Sequence, residues 1–185
     1  MKLHKSCKVE QVTSDDATRY AITESYLSIK DGAGTLVSTN GTAMAILPVM
    51  LDDGDVQGYV SGAAIKAARK CDKRSDVCTV YLNGCAKLTD GSTMPRDGEA
   101  KDAQYPNWSQ VVPSGEEHTM EIAFDAKMLW ELAQAMGTQG VKLRIKSSEV
   151  AFLVSPMPAG SFGAIKPACD SAKGILMPIS TTGTK

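Results

Sequence analysis

Along most of the chain apolar and polar positions alternate with a period of two, and in two places the pattern switches to a helical period. Tyr20, Ile22, Tyr26, Leu27 and Ile29 alternate roughly with polar neighbours, and Asp31-Gly32-Ala33-Gly34 turns the chain. Leu36-Val37-Ser38-Thr39 and Met44-Ala45-Ile46-Leu47 then flank Asn40-Gly41, a pair well suited to hold both central residues of a tight turn at positive φ. The prediction is a β-meander reaching about Met50. Asp52 to Asp55 reads as a turn and Gly58 to Ser61 as a short strand. Ser61 then caps a helix over Gly62–Cys71 with Ala64, Ile65, Ala68 and Cys71 on one face. A second meander follows, with Val77 to Leu82 and Cys85 to Thr89 separated by Asn83-Gly84 and closed by Asp90-Gly91.

The stretch Tyr105 to Pro113 has prolines near each end and is predicted to be extended. Thr119 to Phe124 alternates as a strand, and Asp125 caps a helix from Ala126 to Met136 that Gly137 closes. Its apolar stripe is Met128, Leu129, Leu132, Ala133 and Met136. Strands are predicted at Val141 to Ile145, Val150 to Val154 and Gly174 to Ile179. The order gives two similar units, 1–113 and 114–185, each with a short strand, a capped helix and antiparallel strands. The fold class is α+β, helices on one face of antiparallel sheet, and not the regular βαβα alternation of a nucleotide-binding fold.

Composition narrows the function. A 185-residue chain with 43% hydrophobic residues can bury a core in one or two domains. No apolar run approaches the roughly 18 to 20 residues that span a bilayer, and Met1-Lys2-Leu3-His4-Lys5 has no secretory apolar segment, so the expected place is the cytoplasm. The five cysteines are Cys7, Cys71, Cys78, Cys85 and Cys169; they form no Cys-x-x-Cys pair and no cysteine and histidine spacing that suggests a zinc site, so reduced thiols are expected. A formal net charge of −1 excludes nucleic-acid binding through bulk positive charge. Base is concentrated locally instead, in Lys66, Arg69, Lys70, Lys73 and Arg74. Two readings of that cluster stay open, a phosphate-contacting surface and a solvated helix end whose cations suit the macrodipole. No nucleophile elbow, phosphate loop or paired-carboxylate motif is present, and Asp52-Asp53-Gly54-Asp55 is more simply a turn than a metal site, so neither an enzyme nor a cofactor is expected.

Three stretches, taken together, resemble the bacterial sliding clamp, the beta subunit of DNA polymerase III. Thr39-Asn40-Gly41-Thr42-Ala43-Met44-Ala45 stands where that family has a Thr-Asp-Gly-His-Arg-Leu-Ala hairpin. Tyr105 to Pro113 is similar to its Phe-Pro-Asp-Tyr-Arg-Arg-Val-Leu-Pro joining segment, and Ile175-Leu176-Met177-Pro178-Ile179 to its closing Val-Met-Pro-Met strand. The capped helix after Asp125 is similar to the last-domain helix. The resemblance implies a DNA-clamp-like fold and a processivity factor without chemistry of its own. Such a factor surrounds duplex DNA as an oligomeric ring, without sequence preference, and docks peptides of polymerases or other partners in a hydrophobic pocket.

On this resemblance the pocket wall comprises Thr39, Gly41, Met44, Pro106, Gln110, Val111, Ile175, Met177, Pro178 and Ile179, and the DNA-facing residues are Lys66, Arg69, Lys70, Lys73 and Arg74. With two helices per chain, a twelve-helix ring takes six copies. The departures fall on the polar half of the pocket: the family's Asp, His and Arg are Asn40, Thr42 and Ala43, and an Arg of the joining segment is Gln110. The chain is about half a clamp subunit in length, so the resemblance is to a shortened, divergent member, for which a host and a phage origin both stay open. The alternative function is a clamp-fold adaptor or decoy that binds partner proteins without encircling DNA.

Overall fold

The computed structural model describes residues 1–71, 74–96, 103–112, 120–157 and 171–179. The chain divides into two compact units, Met1–Val112 and Pro113–Lys185.

In the first unit the chain runs through β1 (Lys2–His4), β2 (Ser25–Lys30), β3 (Ala33–Thr39), β4 (Met44–Val49), β5 (Gly58–Val60), α1 (Gly62–Cys71), β6 (Val77–Asn83), β7 (Cys85–Leu88) and β8 (Thr93–Met94). These make two four-stranded antiparallel sheets, in the orders β4-β3-β2-β5 and β1-β6-β7-β8. The β2–β3 hairpin turns on Asp31 and Gly32, both at positive φ (51° and 78°), which matches the right-handed twist of its strands. Strand β3 therefore starts at Ala33, two residues earlier than the sequence pattern suggested.

Alternation along the strands buries one face of each sheet, where Leu27 and Leu36 of one meet Val80, Leu82 and Leu88 of the other in a shared core. Each fully buried leucine contributes roughly 2 kcal/mol relative to its exposed state. Ala64, Ile65 and Ala68 of α1 join that core, and the two alanines let the helix lie close on β6 and β7. The Ser61 hydroxyl accepts the Ala64 N–H at 3.2 Å, the expected cap. The start of the chain joins the two sheets, since Lys2 N–H donates to the Met50 carbonyl at 2.7 Å and Val80 N–H to that of Met1 at 2.9 Å.

Tyr20 and Ile22, read from their alternation as the beginning of a strand, lie instead in a short 3-10 segment, Ala17–Ile22. Asp16 caps it by accepting the Thr18 N–H at 2.9 Å, and that local bond overrides the alternation. Trp108–Val111 is likewise a 3-10 turn within the segment expected to be extended; Pro106 lies before it and does not oppose it.

The second unit holds α2 (Ala126–Ala135) on a three-stranded antiparallel sheet of order β11-β10-β9, with β9 at Val141–Arg144, β10 at Phe152–Pro156 and β11 at Gly174–Leu176. Asp125 caps α2 through both Lys127 N–H (2.7 Å) and Met128 N–H (3.3 Å). Phe152, Val154, Leu176 and Met136 form the core, with Phe124 edge-on to Phe152 at 5.9 Å. Strand β10 begins at Phe152 and not at Val150, β11 ends at Leu176 and not at Ile179, and two further expectations change. The region before α2 is not a strand over 120–124 but makes a single bridge, Ala123 to Ile179, while Thr119 lies outside the described residues. Met128, placed on the apolar stripe by its spacing, is 54% exposed, because only the Leu129, Leu132, Ala133 and Met136 side of α2 meets the sheet.

Candidate functional site

The hairpin at Thr39–Met44 has a loop of four residues. Gly41 is at φ +87° while Asn40 has negative φ, so the expected turn with two positive φ values is not formed. The Asn40 side chain replaces it: Oδ1 accepts Thr42 N–H at 2.9 Å and Ala43 N–H at 2.8 Å. The Thr39 hydroxyl donates to the Ala43 carbonyl at 2.8 Å and accepts the Gly41 N–H at 3.1 Å. Thr39 is thus a buried brace of the loop, and Gly41 its exposed tip.

Arg19, from the 3-10 segment, lies across that tip and donates from Nη1 to the Asn40 carbonyl at 3.3 Å. A Cβ on Gly41 would sit 2.8 Å from the same Nη1, so glycine leaves the space that the guanidinium occupies. Sequence reading missed Arg19, 22 positions before Gly41 and just ahead of the alternation that begins at Tyr20.

Below the hairpin, three of the five tyrosines cluster. Tyr26 and Tyr105 stack with centroids 4.9 Å apart, and Tyr59 meets both edge-on at 5.6 and 5.8 Å. The Tyr59 hydroxyl donates to the Ala21 carbonyl at 3.2 Å and that of Tyr105 to Val37 at 3.4 Å. Burial, and after it the neighbouring Tyr59, raises the Tyr105 phenol well above its ordinary value. Met44 packs against this cluster, and Pro106 lines a cleft of about 480 Å³ beside Tyr26, Tyr59 and Trp108. The structure therefore brings Met44 and Pro106 to one aromatic neighbourhood. Gln110 and Val111 are exposed on the 3-10 turn beyond it.

In the second unit Ile175, Met177 and Ile179 are 71%, 63% and 53% exposed, and Pro178 is half-buried. Strand alternation sends Leu176 into the core and Ile175 outward. Ile175 forms an open groove of about 320 Å³ with Met128, Leu132 and Glu131 of α2. Leu176 completes its lining, so four apolar side chains and one carboxylate border it.

The basic cluster divides. Lys66, Lys70 and Arg74 are exposed, and Lys73 lies outside the described residues. Arg69 is committed within the fold: both its terminal nitrogens pair with the buried Glu10 carboxylate, one at 2.8 Å, and Nη1 also donates to the Cys7 carbonyl at 3.2 Å. Burial alone would raise the Glu10 carboxyl, but the hydrogen bonds from Arg69 and the nearby positive charge hold it below the ordinary range. Arg69 is thus engaged inside the fold by a carboxylate 59 residues away in sequence, whereas Lys66 and Lys70 are exposed.

The acidic turn also has an internal role. Asp52 and Asp55 accept the Met1 ammonium, Asp52 at 3.2 Å, and Asp55 additionally accepts Leu82 N–H at 2.9 Å. Among the described residues no group of three metal-ligating side chains occurs, and no helix is long and apolar enough to cross a membrane.

No protein-family model matches the chain, and no curated protein matches it. Solved structures do. The sliding clamp (DNA polymerase III subunit beta) of Bartonella birtlesii, solved bound to griselimycin, matches 97% of this chain and 51% of its own at TM-score 0.64 and 17% identity. The clamp of Pseudomonas aeruginosa matches 96% of this chain and 50% of its own at TM-score 0.64 and 16% identity. For that of Bacillus subtilis the shares are 96% and 48%, at TM-score 0.62 and 13% identity. This chain spans about half the length of the structures it matches, and at these identities the likeness is one of fold. Two antiparallel, helix-backed units in this order are the fold of the bacterial sliding clamps, shortened to half their length.

Proposed function

We propose that the chain is a clamp-type processivity factor, a non-enzymatic protein that assembles into a ring around duplex DNA and holds partner proteins by short peptides. The observation that carries the reading is the fold match over nearly the whole of this chain. Exposed Lys66 and Lys70 on α1 supply sequence-independent phosphate contacts of the kind such a ring needs. With one such helix per unit, several copies close the ring. The test is retention on DNA: the protein is expected to stay on closed circular duplex through gel filtration and to leave when the circle is cut once. Equal loss from both forms, together with a strict monomer at high concentration, overturns the ring.

Docking is assigned to the apolar side chains exposed beside α2 and β11, and to the hairpin face of the first unit. In a titration with a labelled clamp-binding peptide, Ile175→Asp and Met177→Ala are each expected to weaken binding at least fivefold while leaving thermal stability unchanged, since both side chains are largely exposed. Unchanged affinity in both variants removes this surface from the proposal.

A second reading, a clamp-fold adaptor that binds partners without encircling DNA, is favoured by α2 itself. Its outward side carries Met128 and Trp130, and its Lys127 faces Glu131 at 3.6 Å, a poor surface for phosphates. Failure of circle retention with intact peptide binding selects this reading.

A further inference from the structure

We infer that the open edge of β9 accepts an extended strand of a partner protein, one in which apolar and acidic residues alternate. This edge is on the far side of the sheet from the docking surface beside β11, and the inference goes beyond the function proposed above.

The chain holds its own standard of comparison. In both units a capped helix leads into an antiparallel meander, α1 into β6, β7 and β8, and α2 into β9, β10 and β11. In the first unit the outer side of β6 is taken by β1, with Leu3 opposite Cys78, and Cys78 and Val80 are each 2% exposed. Strand β9 holds the place of β6, yet among the described residues it pairs with β10 alone. Its inward residues, Val141 and Leu143, are accordingly only half-buried against the core.

The main chain at this edge is also unpartnered. Met157 N–H donates to the Gly140 carbonyl at 3.0 Å, which marks those two as a hydrogen-bonded pair of the ladder. Such pairs alternate, so Lys142 with Ser155 and Arg144 with Leu153 are bonded as well, while Pro156, which has no N–H, stands opposite Val141 where none is needed. The N–H and C=O groups of Val141 and Leu143 therefore point to the open edge.

Side chains decide what fits there. Lys142 and Arg144 are exposed on the outer face, and across the sheet they meet Ser155 and Leu153, not a carboxylate. Two copies of β9 paired antiparallel about Leu143 would set these cations against one another, which disfavours a symmetric dimer through this edge. Nucleic acid offers phosphates to the cations and nothing to the main-chain groups or the half-buried side chains between them. A strand with apolar residues opposite Val141 and Leu143 and carboxylates opposite Lys142 and Arg144 satisfies main chain, core and charge together. Trp130 adds apolar surface: Met128 borders β11, and Trp130, two residues on and 55% exposed, is on the other flank of α2, toward β9.

The test is a titration of the full chain by fluorescence anisotropy with labelled Ser-Val-Glu-Val-Glu-Val-Ser, its Lys-for-Glu twin, and the Glu peptide methylated on its valine nitrogens. Wild type is expected to prefer the Glu peptide to the Lys twin about tenfold, the size of two cross-strand charge pairs, and Lys142→Glu with Arg144→Glu to reverse that order. Methylation should abolish binding, because it removes the N–H groups that meet β9. The bound Glu peptide should slow hydrogen exchange at Val141 and Leu143, and Ile175→Asp should leave its affinity unchanged, so that this edge and the surface beside β11 fail separately. Equal affinity for the methylated peptide shows charge attraction alone and overturns the inference. Slow exchange at these two amides before any peptide is added shows an edge that the chain already covers, and overturns it too. So does no binding of the Glu peptide by wild type, or tighter binding of a labelled single-stranded oligonucleotide that the double variant removes. Matching melting temperatures for the variants show that any change is not one of folding.

Discussion

Arg69→Ala is expected to lower the stability of the first unit by about 3 kcal/mol, because it leaves the Glu10 carboxylate buried without its counter-charge. For a unit of this size that corresponds to a fall in melting temperature on the order of 12 °C. Glu10→Gln, which keeps the shape and removes the charge, should cost somewhat less, and Glu10→Leu with Arg69→Met should recover most of the loss, since an apolar pair needs no desolvation of charge. The dependence on pH has a definite sign. The Glu10 carboxyl is depressed in the folded state, so its contribution is complete above the ordinary glutamate range near pH 4 to 5 and is lost as pH falls through the lower, folded value. Urea unfolding of wild type and Glu10→Gln at pH 7 and at pH 3 checks it: the gap should be wide at pH 7 and narrow in acid. A gap that stays constant, or an Arg69→Ala protein as stable as wild type, contradicts the account.

Charge reversal at Lys66 and Lys70 is expected to abolish retention on circular DNA without unfolding α1, since both side chains are exposed. Lys66→Gln with Lys70→Gln is the quantitative form. If each contacts a phosphate, the slope of log K against log salt should flatten by about 0.9 per contact, close to two in total. The Glu10→Leu and Arg69→Met pair is the matching control, because Arg69 is engaged inside the fold and its removal should leave the slope as it was. A slope that responds to Arg69 and not to the lysines would reverse the assignment of the basic cluster.

These two expectations differ in how far the sequence carried them. Lys66 and Lys70 were visible as cations late on an amphipathic helix, and α1 itself was legible from Ser61 and from the spacing of Ala64, Ile65 and Ala68. The pairing of Arg69 with Glu10 was not, because the composition of one segment does not say which distant carboxylate it will meet. The same holds for Tyr26, Tyr59 and Tyr105, whose stacking depends on β2, β5 and the joining segment coming together.

Local rules also competed with one another. Alternation at Tyr20 and Ile22 suggested a strand, while the Asp16 cap made a 3-10 segment, and it is that segment that places Arg19 on the hairpin. Asn40-Gly41 was rightly read as a hairpin, yet the Asn40 side chain built a four-residue loop where the dipeptide rule favoured a two-residue one. Met128 kept its helical period and still faces outward, since a three-stranded sheet covers a narrower stripe than the spacing allowed.

The aromatic cluster and α2 have a practical consequence. The chain has two tryptophans, and they fall one to each unit: Trp108 is partly buried against the tyrosines of the first, and Trp130 is 55% exposed on α2 of the second. Each unit thus carries its own fluorophore, one shielded and bluer, the other wet and redder. Replacing either tryptophan by phenylalanine leaves an optical reporter for the other unit, so that the melting of the two halves, and the arrival of DNA or of a peptide at either, can be followed separately in the same molecule.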